Sequence, residues 1–345
     1  MHLGILTGGG DVPGLNPAIK TVVNEAAAKG WRVTGFRRGW AGPLNYNPAD
    51  PKGSKHAIMP LSREGVHAID RTGGTILHTS RTQPSKMPYG TLPEFLKSSY
   101  KAGDEAEKVD CTGHVLSVLE ALEIDVLIAI GGDDTLSYAA RLHNEGAPTI
   151  CIPKTMDNDV YGTEYCIGFS TCVTRSVELI QRLRTPVGSH ERILIVELFG
   201  RNSGQTALMA GYLADADRTL ISEVPFDPKE VTELLCEDRR ANPSNYSVAV
   251  ISEGASVKDG RIVETGEPDA YGHRKLGGIG MVLSDYIKKH AGVGVMYQSL
   301  AYLLRAGAPD AVDLMVPKNF ATMAVRCIAE GRTGLLMAVP DGQYT

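Results

Sequence analysis

The amino-acid sequence predicts an α/β fold with two lobes and a cleft between them. Five short apolar runs each end in a glycine- or aspartate-rich turn, and most of these turns lead into a segment with helical periodicity. Strands that alternate with helices are typical of a largely parallel sheet. The length of 345 residues suits two domains or one large α/β unit. We therefore expect parallel-rich sheets flanked by helices.

The first strand is predicted at 2–7, and a glycine-rich loop connects it to a helix over about 17–29. Asn16 is a suitable N-cap for this helix, Pro17 is a suitable first helical residue and Gly30 is a suitable stop. The segments 40–63 and 83–108 are rich in Pro, Gly, Lys and Ser, and we expect them to lie on the surface outside the core. The other predicted strands are 125–130, 148–152, 192–198 and 246–251, with helices ending near 144 and spanning about 206–214.

Composition narrows the class of protein. The net charge of −5 is spread along the chain without long runs of one sign, so nucleic acid and anionic membranes are not expected partners. No apolar run reaches the roughly 20 residues of a membrane span, and the N-terminus lacks the features of a signal peptide. We therefore expect a cytoplasmic protein. The six cysteines form no CxxC pair, which predicts unpaired thiols.

The polar clusters all follow predicted strands. In parallel sheets, ligands bind at the carboxyl ends of the strands. Five clusters at such ends predict an active site along one rim. The clusters are GGGD (8–11), GGDD (131–134), PKTMDND (153–159), FGRNSG (199–204) and SEG (252–254).

The loop GGGDVPG (8–14) runs into a helix, and its backbone N–H groups can hold an anion such as phosphate. It does not match GxGxxG, because residue 13 is proline. It does not match a Walker A loop either, because no Lys-Ser/Thr pair follows Gly14. A tight βα turn without a ligand is the alternative. A dinucleotide dehydrogenase and a P-loop kinase are both disfavoured.

The other clusters carry the charges that phosphate chemistry needs. Asp133 is a candidate Mg²⁺ ligand, whereas Asp134 is equally explained as a carboxylate at a helix N-terminus. Lys154 offers a compact positive charge, and an aspartate in 157–159 can serve as a general base. Glu253 can accept hydrogen bonds from sugar hydroxyls. Candidate phosphate contacts are Arg192, Arg201, Tyr302 and Arg305, although any single arginine is more often a surface charge.

These motifs, in this order, resemble the phosphofructokinase family of the large α/β type. The resemblance runs from GGGDVPGLN to LLRAGAPDAVD, and its most specific parts are GGDDT, PKTMDND and ELFGRNSG. It implies transfer of a phosphoryl group to the 1-hydroxyl of fructose 6-phosphate, a reaction of glycolysis and gluconeogenesis. It also implies a donor-binding lobe of residues 1–168 plus about 302–345, and a fructose 6-phosphate-binding lobe of residues 169–301.

The resemblance also implies a role for each residue. Asp157 is the base, with Thr155 on the transferred group and Asp159 and Lys154 beside it. Mg²⁺ is the implied cofactor, associated with Asp133. Arg192 is implied to reach a neighbouring subunit's site, so a homodimer or homotetramer is expected. The donor residues are Gly9, Gly10, Arg81, Gly132, Asp134 and Lys154; the sugar and 6-phosphate residues are Phe199, Gly200, Arg201, Glu253, Arg192, Tyr302 and Arg305.

Asp134 bears on the choice of donor. Members of the family that use ATP have GGDG, and a carboxylate in place of that last glycine would repel the α-phosphate of ATP. Pyrophosphate avoids this clash, and Lys154 adds a positive charge, so we expect the pyrophosphate-dependent branch. An ATP-dependent phosphofructokinase is the alternative.

The sequence departs from the family pattern at two positions of the 6-phosphate site. Tyr302 replaces a histidine, and Met296 lies where a second cross-subunit arginine is usual. These changes extend the expected acceptors to sedoheptulose 7-phosphate. Two other classes of protein are weighed and disfavoured. An NAD-kinase-like enzyme does not explain PKTMDND followed by FGRNSG, and a non-catalytic sugar-phosphate sensor does not explain an intact Asp157.

Overall fold

The computed structural model describes residues 1–101, 103–258, 264–265 and 275–345. Its strands are β1 (His2–Thr7), β2 (Arg32–Phe36), β3 (Ile58–Leu61), β4 (Met87–Pro88), β5 (Lys108–Val109), β6 (Val126–Gly131), β7 (Thr149–Pro153), β8 (Ile193–Leu198), β9 (Arg218–Leu220), β10 (Ser247–Ser252), β11 (Glu264–Thr265), β12 (Lys275–Leu276), β13 (Val295–Ser299) and β14 (Leu335–Leu336). Its α-helices are α1 (Leu15–Ala28), α2 (Ala41–Leu44), α3 (Glu94–Lys97), α4 (Thr112–Ala121), α5 (Asp133–Asn144), α6 (Phe169–Ser189), α7 (Gln205–Leu213), α8 (Pro228–Ala241), α9 (Ile279–Ala291) and α10 (Ala311–Ala329).

Within the described residues, six strands form one sheet in the order β14-β7-β6-β1-β2-β3, and all neighbours are parallel except β2 and β3. The central strands are buried on both faces, which is why they read as continuous apolar runs. The register places Thr7 opposite Ile130, and Ile130 opposite Ile152. The carboxyl ends of β1, β6 and β7 therefore meet at one edge.

A second sheet has the order β13-β8-β10-β9 in the described part of the chain, and its strands are all parallel. Leu198 at the end of β8 lies opposite Ser252 at the end of β10. The segments that follow these two strands are therefore neighbours. The expected α/β architecture of parallel-rich sheets flanked by helices is confirmed.

The two sheets share one apolar core. Ile5 and Ile128 of the first sheet and Val196 and Val250 of the second are fully buried in the same cluster, together with Phe320 of α10. Burial of each such side chain stabilises the fold by about 1.5–3 kcal/mol. The helix α10 packs against α1. The boundaries expected for the lobes, at 168 and about 302, stay a prediction.

The predicted strands lie within one residue of their observed bounds, but the start of the first helix is different. The helix begins at Leu15, and its N-cap is Gly14, with φ 112°. The prediction of Asn16 as N-cap is wrong, because the amide of Asn16 bonds to a distant loop: it donates to Thr72 Oγ1 at 3.2 Å and accepts from the N–H of Ile76 at 2.9 Å. The predicted helix stop is confirmed, since Gly30 follows α1 with φ 71°.

The segments 40–63 and 83–108 are not simply surface excursions, so that prediction is wrong for their apolar residues. Trp40 is fully buried and packs edge-on against Tyr138, with 4.7 Å between ring centroids. The strand β3 extends the first sheet. Leu44 and Met87 belong to a small separate core. Isolated apolar residues among Pro and Gly carry no periodic signal, which explains the error.

The cysteine prediction is confirmed: all six cysteines are within the described residues, and all are free thiols. Five are buried, and Cys236 is half-buried. Among the helices that the structure describes, none combines the length and apolarity required to cross a membrane.

Candidate active site

The residues that follow β1, β6 and β7 enclose a cavity of about 150 Å³. We call this region the glycine edge (residues 8–11, 132–135 and 154–155, with Arg81). The structure brings together there every residue that the sequence predicts for donor and metal binding. The cavity is lined by Gly9, Gly10, Arg81, Gly132, Asp133, Asp134, Thr135, Lys154 and Thr155.

The glycine loop is held by the segment that precedes Arg81. The N–H of Gly9 donates to Ser80 O at 3.0 Å, and Thr79 Oγ1 donates to Gly9 O at 2.6 Å. A Cβ atom on Gly10 would lie 2.6 Å from Arg305 Nη1, so a side chain there would displace the guanidinium. The loop thus keeps its backbone close to a cation.

Lys154 lies beneath this loop. Its side chain is 4% exposed, and Nζ donates to Gly10 O at 2.6 Å. Burial, and next the positive charge of Arg305, lower the pKa of Lys154 to about 8. Arg305 in turn lies 3.7 Å from Asp11 Oδ1. Two cations close to a glycine-rich loop form a site that favours an anionic ligand.

Asp133 and Asp134 form the first turn of α5, where the helix dipole favours negative charge. Burial, and then the charges of Asp159 and Asp134, raise the pKa of Asp133. Mg²⁺ prefers carboxylate oxygens and usually keeps water and substrate phosphates among its ligands. Within the described residues, no group of three or more His, Cys, Asp or Glu side chains is arranged to hold a metal. A single carboxylate beside a phosphate site is compatible with Mg²⁺, and the association of Asp133 with the metal stays a prediction.

The loop after β7 carries the predicted base. Burial, and next the charge of Asp159, raise the pKa of Asp157 to about 6. A backbone hydrogen bond from Arg201 and the charges of Lys154 and Arg201 act in the opposite direction. Asp157 therefore lies between the glycine edge and the second sheet. A carboxylate with a pKa near 6 is suited to accept a proton near neutral pH.

The residues that follow β8 and β10 form the opposite wall, which we call the FGR edge (residues 199–204 and 253–254). Gly200 has φ 135°, and its carbonyl accepts from Ser252 Oγ at 2.6 Å and Ser222 Oγ at 2.8 Å. A side chain at Gly200 would be strained and would meet Ser203 O at 2.5 Å. Burial, and then the charge of Asp157, raise the pKa of Glu253 to about 7. The predicted sugar residues thus face the base.

Arg305 packs against two aromatic rings. Its guanidinium carbon lies 5.3 Å from the ring centroid of Phe199 and 4.6 Å from that of Tyr302, distances at which cation–π attraction operates. Its Nε atom is buried, and none of the described residues bonds to it. With its other nitrogen near Gly10, Arg305 lies between the glycine edge and the FGR edge. Its predicted 6-phosphate role stays a prediction.

Arg192 is the one predicted site residue that the structure places away from this cleft. It is exposed and immediately precedes β8, whereas Phe199 immediately follows it. Six residues of strand span roughly 20 Å. The role of Arg192 in the site of a neighbouring subunit stays a prediction. Met296 is half-buried in β13, which is an edge strand of the second sheet in the described part of the chain, and lies opposite Leu194 of β8.

Asn158 was not singled out by sequence reasoning, although it lies between the two aspartates. It is 7% exposed, has φ 54° and makes side-chain hydrogen bonds to three residues. The available signal was the residue type, because asparagine is enriched among residues with left-handed backbone conformation.

The fold and the cleft define an α/β protein in which a glycine loop beside Lys154 and Arg305 faces the buried carboxylates of Asp157 and Glu253. A family model described as phosphofructokinase matches residues 2–328. The chain belongs to the phosphofructokinase family, and the family resemblance of its motifs is confirmed.

The chain is similar to relatives named for two different donors. It is 38% identical over 341 residues to pyrophosphate–fructose 6-phosphate 1-phosphotransferase of Amycolatopsis methanolica, covering 98% of this chain and 90% of that protein. It is 35% identical over 341 residues to ATP-dependent 6-phosphofructokinase 3 of Streptomyces coelicolor, covering 98% and 91%. Sequence identity over the whole chain therefore does not decide between pyrophosphate and ATP, and the residues of the site must be considered.

The fold is also that of solved phosphofructokinases. The structure of phosphofructokinase from Saccharomyces cerevisiae superposes with a TM-score of 0.78 at 22% identity, over 100% of this chain and 44% of that chain. This chain thus spans less than half of the yeast protein's length. At this identity the likeness shows the shared fold alone.

Proposed function

We propose that this enzyme transfers a phosphoryl group from pyrophosphate to the 1-hydroxyl of fructose 6-phosphate, reversibly and with Mg²⁺, giving fructose 1,6-bisphosphate. The observation that carries the choice of donor is Asp134, which lines the cavity of the glycine edge. A carboxylate there repels the α-phosphate of a nucleotide, whereas pyrophosphate ends at its second phosphate.

The face of α5 that carries Asp134 is closed one helical turn further on. Tyr138 is four residues after Asp134 and so lies on the same face of the helix. It is 2% exposed, packs against Trp40, and its hydroxyl donates to Thr112 Oγ1 at 3.2 Å. These rings fill the space beside that face of α5, whereas Asp134 itself lines the cavity. Its carboxylate favours a compact donor such as pyrophosphate over a nucleotide.

The proposed chemistry follows from the positions of the charged groups. Asp157 accepts the proton of the sugar 1-hydroxyl while that oxygen bonds to the nearer phosphorus, and the bond from this phosphorus to the bridging oxygen breaks. Lys154 and the glycine loop hold the phosphate that leaves. Mg²⁺, when bound near Asp133, neutralises charge on the donor oxygens. The anhydride bond of pyrophosphate and the 1-phosphoester bond of fructose 1,6-bisphosphate have comparable phosphoryl-transfer potentials, so the reaction runs in both directions.

On the acceptor side, Glu253, Gly200 and Arg201 are proposed to hold the sugar hydroxyls opposite Asp157. Phe199 would contact the sugar ring, and Tyr302 and Arg305 the 6-phosphate. Tyr302 is largely exposed at the mouth of the cleft, which leaves room for a longer sugar phosphate. Sedoheptulose 7-phosphate is therefore the second acceptor to assay.

The test compares pyrophosphate with ATP at equal concentration, in the presence of Mg²⁺ and fructose 6-phosphate, by following fructose 1,6-bisphosphate. Turnover with pyrophosphate only is the expected result. Turnover with ATP only would contradict the proposed donor and favour the ATP-dependent alternative. Asp134→Gly tests the carboxylate separately: it should raise activity with ATP and lower the preference for pyrophosphate.

A further inference from the structure

Both the nitrogen and the oxygen of the Asn158 side-chain amide make hydrogen bonds. Nδ2 donates to Glu164 O and to Gln205 Oε1, each at 2.9 Å, and Oδ1 accepts from the N–H of Cys166 at 2.7 Å. The Glu164 carbonyl can only accept and the Cys166 N–H can only donate, so these two bonds fix the orientation of the amide. The left-handed backbone at φ 54° is one that asparagine tolerates better than most residues.

This residue separates two carboxylates that serve different edges of the cleft. Asp157 interacts with the backbone N–H and charge of Arg201 and with Glu253, all on the FGR edge. Asp159 bonds to Thr155 and raises the pKa of Asp133, both on the glycine edge. The directions of these two side chains are therefore set by the turn that Asn158 forms.

Gln205 is the partner that connects this turn to the second sheet. It is exposed and is the first residue of α7, directly after the FGRNSG loop. The next residue, Thr206, donates from Oγ1 to Met156 O at 2.7 Å, so α7 begins against the same turn. The bond between Asn158 and Gln205 thus joins residues 47 positions apart in the chain.

We propose that Asn158 is a positioning residue: with Gln205 it holds the Asp157–Asp159 turn in register with the FGRNSG loop, so that base, sugar and donor are aligned. This inference rests on the proposed function. It predicts that loss of the Asn158–Gln205 bond lowers kcat and leaves donor binding unchanged.

The first variant is Gln205→Met, which removes the acceptor at an exposed position while keeping the length of the side chain. Loss of one hydrogen bond is expected to lower kcat about 3- to 10-fold, with the KM for pyrophosphate unchanged. Gln205→Glu keeps the acceptor oxygen, so its kcat should stay within about 2-fold of that of the wild type. Gln343→Met, in the exposed C-terminal segment, is the matched control and should behave as wild type.

The second variant is Asn158→Gly, which keeps the left-handed backbone and removes all three side-chain hydrogen bonds. Misplacement of the base predicts a fall in kcat of about 10- to 100-fold. In the double variant Asn158→Gly/Gln205→Met, the first substitution has already removed the bond between residues 158 and 205. The kcat of the double variant should therefore match that of Asn158→Gly within about 2-fold. Thermal unfolding checks that each variant is folded. If Asn158→Gly does not fold, the kcat of Gln205→Met alone tests the positioning role of Asn158.

Any of four results would overturn the inference. The first three are wild-type kcat in Gln205→Met, an effect of Gln205→Glu as large as that of Gln205→Met, and independent, multiplying effects of the two substitutions in the double variant. An equal rise in the KM for both substrates without a change in kcat would also refute it. If the wild-type enzyme forms no fructose 1,6-bisphosphate from either donor, the proposed function fails as well.

Discussion

The glycine edge and the FGR edge face each other across one cleft, but they are built differently. At the glycine edge, three adjacent strands of one sheet end together, and the residues predicted there line a single cavity. At the FGR edge, two strands contribute Gly200, Arg201 and Glu253, whereas Arg192 lies at the far end of β8. Arg305 lies between the two edges, against Phe199 and Gly10.

From this difference we expect one copy of the chain to assemble the proposed donor site but only part of the proposed acceptor site. Strand register fixes the glycine edge, because neighbouring parallel strands must end side by side. The proposed acceptor site includes Arg192, which a single copy does not bring to the FGR edge, and Arg305, which lies against both walls. Substitutions at the glycine edge should therefore act within one chain, whereas some at the FGR edge should act between chains.

Asp157 is the group on which both edges depend, so its loss should have the largest effect. In Asp157→Asn the side chain keeps its shape but can no longer accept a proton. We expect kcat to fall about 10²- to 10⁴-fold, while binding of fructose 6-phosphate, measured by calorimetry, changes little. Asp285→Asn, on the exposed face of α9, is the matched control. Turnover near that of wild type would remove Asp157 as the base.

Lys154→Met tests whether the glycine edge acts alone. Methionine keeps the buried volume but removes the charge that binds Gly10 O. Loss of a charged contact predicts a rise in the KM for pyrophosphate of about 10- to 100-fold, with the dissociation constant for fructose 6-phosphate unchanged. Lys289→Met, exposed on α9, serves as control. Equal weakening of both substrates would show that the two edges are not independent.

The comparison also separates what the sequence could predict from what it could not. The meeting of GGGD, GGDD and PKTMDND was predictable, since short apolar runs identify parallel strands and their ends share an edge. The link from Asn158 to Gln205 was not, because it joins positions 47 apart through side chains rather than strand pairing. The burial of Trp40 was missed because its apolar neighbours follow no period. The placement of Arg305 depends on packing between both walls.

Arg192 gives the test of action between chains. Arg192→Ala should lower kcat/KM for fructose 6-phosphate about tenfold or more, through loss of a charge-assisted contact. If a neighbouring copy supplies Arg192, co-expression of Arg192→Ala with Asp157→Asn chains produces hybrids in which one of two sites is intact. A dimer with reciprocal sites then recovers about a quarter of wild-type activity in an equal mixture.

Differently tagged chains allow the hybrids to be isolated, and each variant expressed alone is the control. Recovery above the activity of both variants supports a contribution from a second copy. Hybrids that contain both chains but recover no activity would show that Arg192 does not act across an interface. The positive charge that Arg192 is predicted to place near the 6-phosphate would then have to come from another residue.

The smallest expected effect concerns stability, and it follows from the pKa of Asp157. The folded state raises this pKa to about 6, whereas an unfolded aspartate has a pKa of about 4. Between these values the folded state binds more protons than the unfolded state, so the free energy of unfolding falls as the pH rises. At pH 8 the ionised, buried Asp157 therefore destabilises the fold, on the order of 2 kcal/mol.

Asp157→Asn removes this cost, so its thermal midpoint should exceed that of wild type by a few degrees at pH 8. The gap should close as the pH falls below about 4, where Asp157 is protonated in both states. Asp285→Asn should show no such pH-dependent gap. A gap that is equal at pH 8 and pH 4 would mean that the substitution acts through packing, and that burial between the two edges does not perturb Asp157.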